Sequence, residues 1–129
     1  MDLKNYFENT EGVGVLATAD AEGKVDAAIY SRPHVMDSDT VAFIMRDRLT
    51  HHNLQSNPYA AYLFMEAGEK FVGKRLFLTK IREEQNTELA YKLRRRKYPE
   101  DKQEPLFLAF FRIDKILPLI GPGEDEGAL

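Results

Sequence analysis

The residue types best suited to chemistry sit in one stretch, Met45-Arg46-Asp47-Arg48-Leu49-Thr50-His51-His52-Asn53. Arg46 and Arg48 supply two guanidinium groups, whose planar forks suit phosphate or carboxylate. Thr50 is an N-cap residue type, with Leu49 before it and Leu54 four after it at the staple positions. A helix beginning there turns the amides of His51, His52 and Asn53 outward. The helix dipole adds partial positive charge at that end, so the turn is suited to an anion. Arg32, near the end of a neighbouring predicted strand, can join the same corner. The competing arrangement is a solvated surface, with Arg46 and Arg48 paired to Asp47 and Glu66 and Thr50 acting only as a cap.

Other chemistries have weaker signals. His51 and His52 are adjacent, and neighbouring helical side chains diverge by about 100°, so both rings rarely meet one ion. His34 is the third histidine and cysteine is absent, so no metal site is expected. Ser31 with His34 or His52 lacks a glycine elbow and a patterned third member. The run Arg94-Arg95-Arg96-Lys97 falls in the last turn of a predicted helix, where cations complement the dipole. Glu83, Glu84, Glu88, Glu100 and Asp101 lie close to it in sequence, so nucleic acid is not an expected partner. Gly12-Val13-Gly14 opens a strand and lacks a third glycine, so it is no dinucleotide fingerprint.

The elements that must position these residues are legible from periodicity. A chain of 129 residues, 43% hydrophobic, 30% charged and with net charge −3, implies one globular domain without a general pull toward polyanions. No segment approaches ~18 uncharged apolar residues, so no membrane span is expected. The first residues have no apolar run behind a basic stretch, and the expected compartment is the cytoplasm. Asp2 caps a short helix with Leu3, Tyr6 and Phe7 on one face. Val13–Ala19 alternates, Asp20-Ala21-Glu22-Gly23 turns, and Lys24–Arg32 returns as a hairpin partner. Val41–Met45 is the third strand, and Pro58 ends the helix that Thr50 begins. Tyr59–Met65, Lys74–Arg82 and Leu106–Ile113 complete six strands. Asn86 or Thr87 caps a helix to about Arg96, with Leu89, Ala90 and Leu93 as its buried stripe. Connections this short imply a mainly β, antiparallel barrel over residues 1–120, and the Gly-, Pro- and acid-rich residues 121–129 are expected to be a loose tail. Phe107–Phe111 is apolar on both faces, so its outer side needs cover; the helices being short, a homodimer interface is expected.

The order of these segments carries a resemblance. The hairpin Gly14–Asp20 to Ala27–Pro33, the strand Ala42–Met45 and the run Arg48-Leu49-Thr50-His51-His52-Asn53-Leu54-Gln55-Ser56-Asn57-Pro58 resemble the pyridoxamine 5′-phosphate oxidase-like, FMN-binding split-barrel family over roughly residues 1–117. The resemblance implies a six-stranded Greek-key split barrel with a few short helices, and a homodimer holding FMN at its interface. It implies that Ile29, Tyr30, Ser31 and Arg32 line the flavin ring and ribityl chain. It places Ile44, Met45 and Arg46 on the ring or phosphate side, and Arg48, Thr50 and His51 at the phosphate. The chain lacks tryptophan and the Arg- and Trp-containing C-terminal segment of true pyridoxamine-phosphate oxidases, so that activity is not expected. The expected function is an FMN-dependent oxidoreductase acting on a small-molecule electron donor or acceptor. The alternative is a non-enzymatic flavin- or haem-binding module on the same barrel.

Overall fold

The computed structural model describes residues 2–94 and 104–121. Helix α1 (Leu3–Asn9) begins where the Asp2 carboxylate accepts from the Asn5 amide at 3.1 Å, and it buries Leu3 and Phe7. Strands β1 (Gly12–Ala19) and β2 (Val25–Ile29) form the expected hairpin. Asp20 shapes its turn by accepting from the amides of Glu22 and Lys24, both at 2.9 Å, while Gly23 takes a φ of 85° that other residues resist. Then come β3 (His34–Val35), β4 (Thr40–Arg46), α2 (Leu49–Ser56), β5 (Tyr59–Glu66), β6 (Gly73–Gln85), α3 (Glu88–Leu93) and β7 (Leu106–Pro118).

The strands form one antiparallel sheet in the order β2-β1-β5-β6-β7-β4-β3. This is the split barrel, with seven strands where six were expected. The additional strand is β3, two residues paired His34↔Ala42 and Val35↔Val41, too short to register as an alternation. Strands β6 and β7 each run 13 residues, beyond their apolar stretches, and absorb the extra length in register shifts at Phe77/Leu78 and Lys80/Arg82. Leu16, Phe43, Tyr62, Phe64, Leu76 and Phe111 turn to the inner face and pack with Phe7 of α1 as one core. Most of its aromatic rings meet edge-on or tilted, as in Phe7–Phe64 at 5.3 Å and Phe43–Tyr62 at 4.9 Å, while Tyr62 and Phe64 lie nearly parallel at 6.4 Å.

The outer face is covered in one half only. Thr87 caps α3 by accepting from the Ala90 amide at 3.2 Å, and the helix lays Ala90, Leu89 and Leu93 on Leu106, Leu108 and Phe110 of β7 and Ala42 of β4. A six-residue helix therefore suffices for β7, where a second chain was expected to provide the cover. Over β1, β2 and β5 the outer face stays open: Val13, Val25, Ile29, Tyr59 and Leu63 are all exposed. The helix α3 ends at Leu93 rather than near Arg96; Arg95, Arg96, Lys97 and the tail from Pro122 lie outside the described residues.

Candidate functional site

The sheet has two edges, β2 and β3, and a cavity lies where they approach each other. It has a volume of about 350 Å³. Ala28, Ile29, Tyr30, Ser31 and Arg32 line it from the β2 edge; His34, Phe43, Ile44, Met45 and Arg46 line it from β3 and β4. Arg48 and Thr50 close one end from the start of α2, and Arg94 and Leu106 approach from behind α3 and from β7. Edge strands leave one side of their backbone unpaired, so a seam between two edges is open to a ligand in a way the closed part of the sheet is not.

Nine of the ten residues singled out in the sequence line this one cavity; His51 does not. The helix α2 begins earlier than Thr50. Arg48 stands at the N-cap in extended conformation without a side-chain cap, and the His52 amide already bonds the Arg48 carbonyl at 2.9 Å. The amides left without an intrahelical partner are therefore those of Leu49, Thr50 and His51, two residues before the expected set. Thr50 is buried, and its hydroxyl faces the Asp26 carboxylate at 3.4 Å and bonds the Tyr30 side chain, so tertiary partners displace the capping role. His51 turns the other way, and its ring stacks on Phe107 at 3.7 Å. No local sequence signal distinguishes the two directions.

The arginines are held differently. Arg32 Nη1 donates to the carbonyls of Phe7 and Thr10 at 2.9 and 3.0 Å, so it fastens the C-terminal end of α1 while lining the cavity. Arg48 pairs with Glu104 at 2.8 Å, and not with Glu66, which accepts from the Tyr6 hydroxyl at 2.7 Å. Arg94 packs its guanidinium over the Tyr91 ring at 5.3 Å. Together the lining holds four arginines and no carboxylate. Tyr30 adds a phenol that burial pushes above its ordinary range, with the Asp26 carboxylate adding and the Thr50 bond partly offsetting; it remains a protonated donor near neutral pH. Among the described residues no three His, Asp or Glu side chains gather as metal ligands.

Sequence reasoning missed Ala28, Phe43 and Leu106, whose strand positions beside named residues were a usable signal. It also missed His34 and Arg94 as cavity residues, and for these only the tertiary arrangement supplies the link. The cavity has apolar walls from Ile29, Ile44, Met45 and Leu106 and four arginines among its lining, a composition that suits a planar ligand carrying an anionic group.

Comparison with known proteins agrees with the fold. An FMN-binding protein from Syntrophomonas wolfei subsp. wolfei superposes with a TM-score of 0.74 at 21% identity, over 91% of this chain and 83% of that one. HupZ of Group A Streptococcus matches at a TM-score of 0.65 and 20% identity, covering 92% of this chain and 91% of its own. An F420 reductase matches at 0.68 and 14%, over 90% and 97% of the two chains. No curated protein matches the chain. The sequence model of pyridoxamine 5′-phosphate oxidase matches residues 4–112, almost the whole described sheet, and the chain belongs to that family.

Proposed function

We propose that the chain binds flavin mononucleotide in the seam cavity as a homodimer and serves as a cytoplasmic, flavin-dependent oxidoreductase for a small-molecule donor or acceptor. The observation that carries this reading is the charge of the lining: four arginines with no carboxylate, beside apolar strand faces. Such a lining suits a phosphate dianion, and Thr50 from the first turn of α2 adds a hydroxyl to it. The flavin supplies the redox chemistry when bound. The chain supplies binding and orientation: Arg46, Arg48 and Thr50 at the phosphate, and Ile29, Ile44 and Met45 along the ring. Tyr30, kept protonated by burial, offers a hydrogen bond to a ring or ribityl oxygen.

The homodimer is supported by the open outer face. Val15 lies opposite Ile29 on β2 and Leu63 on β5, and Ala17 opposite Ala27 and Ala61, which makes an apolar strip across three strands. Ile29 belongs both to this strip and to the cavity lining, so a second copy seated there would border the ligand. The test is direct. Purified protein is expected to be yellow, with visible flavin absorption eluting with a dimer-sized species, and to prefer FMN over riboflavin. A colourless monomer that takes up neither sinks the reading.

A further inference from the structure

His51 was expected at the phosphate and is instead a buried ring, 7% exposed, outside the cavity. It lies flat on Phe107 of β7, with ring centroids 3.7 Å apart and planes within 18°. Its Nδ1 meets Asp47 Oδ1 at 3.3 Å, four residues back in the same turn. Its Nε2 meets Glu83 Oε2 of β6 at 3.0 Å. Gln55 Nε2 lies 3.1 Å from His51 Nε2 and donates to Glu83 Oε1 at 3.2 Å, and Lys80 pairs with that same carboxylate. One imidazole thus joins the first turn of α2 to β6 and β7. That same turn carries Thr50 and follows Arg48, both of which line the cavity.

The two ring contacts are not equivalent. The Asp47 contact spans four residues and cannot hold the helix to the sheet. Of the ring's contacts, only those to Glu83 and Phe107 reach the barrel, on the side of α2 away from the Thr50–Asp26 and Asn53–Thr18 bonds to β2 and β1. We propose that His51 is a positioning residue, whose tie to Glu83 holds the first turn of α2 so that Thr50 and the adjoining Arg48 stay aimed at an anion in the cavity. This rests on the flavin reading above. A displaced turn changes contacts to the phosphate while leaving the ring's apolar walls in place, and small misplacements of such groups are costly.

The experiment compares FMN with riboflavin, which lacks the phosphate, by flavin-fluorescence titration of the wild type, His51→Gln, His51→Asn and Glu83→Ala. Glutamine places an amide nitrogen near the Nε2 position and keeps the tie to Glu83; asparagine places it near Nδ1 and keeps only the local contact. His51→Gln is expected to retain the wild-type preference for FMN. His51→Asn and Glu83→Ala are expected to lose roughly tenfold or more in FMN affinity with riboflavin affinity unchanged. Should His51→Asn not fold, Glu83→Ala reads the same tie from the other side. Equal losses for both flavins, or an unchanged ratio in Glu83→Ala, overturn the proposal. A wild type that shows no preference for FMN instead overturns the phosphate reading itself, and this proposal with it.

Discussion

Arg46 and Arg48 have the same chemistry but different surroundings. Arg48 is exposed and already shares its charge with Glu104 at 2.8 Å, whereas Arg46 projects from a paired strand position opposite Leu106. Arg46→Ala is expected to weaken FMN binding by about 1.5–3 kcal/mol, tenfold to a hundredfold, and Arg48→Ala by less, because its exposed charge is already offset by Glu104 and screened by solvent. Riboflavin titration is the control and should show no change in either variant. Gly14 illustrates a different dependence on one residue. A Cβ built there collides with the Tyr62 hydroxyl, which donates to the Tyr30 carbonyl at 3.1 Å, and with the Tyr30 carbonyl oxygen. Gly14→Ala is expected to cost about 1–3 kcal/mol in a denaturant melt and to shift Tyr30 within the cavity, seen as altered fluorescence of bound flavin. The spacing of Arg46, Arg48 and Thr50 was readable in the sequence because all three lie on one short connection. The direction each side chain takes was not, since Thr50 answers to Asp26 and Tyr30, and His51 to Glu83, residues 20 or more positions away.

At the scale of elements, β6 holds α2 through Glu83. Burial pushes the Glu83 carboxyl up, but bonds from Lys80, His51 and Gln55 prevail and hold it at about 2, below its ordinary 4.5. A depressed carboxylate contributes stability above its unfolded pKa and loses it as pH falls toward the folded one. The contribution, at most about 3 kcal/mol, is therefore present at neutral pH and fades between about pH 4.5 and 2. Glu83→Gln should be less stable than the wild type at pH 7 and converge with it near pH 2; parallel melts across that window would refute the assignment. For α3 the cap decides. Thr87→Ala removes the Ala90 amide's partner and should cost about 1 kcal/mol, roughly 4 °C in Tm, as α3 loosens over Leu108 and Phe110. Both caps at Asp2 and Thr87 were legible because capping is local. The seventh strand was not, because two residues carry no period.

At the scale of the molecule, the open strip over β1, β2 and β5 predicts association. Leu63→Asp places a charge on an already exposed position, so it should leave the fold intact while converting a dimer to a monomer in sedimentation and loosening bound flavin. A monomeric wild type would contradict this. Legible in the amino acids alone were the helices and six of the seven strands in their order, the alternation that sends Leu16 and Phe43 inward, and a cluster of cations at a strand-to-helix turn. All of these follow from interactions between residues close along the chain. What only the tertiary structure decided is which edges of the sheet face each other, that Arg32 fastens α1, that Arg94 reaches the cavity, and that His51 faces the barrel instead of the ligand. Those outcomes depend on long-range pairing, where a polar side chain takes the best partner in space, and sequence separation says little about which partner that is.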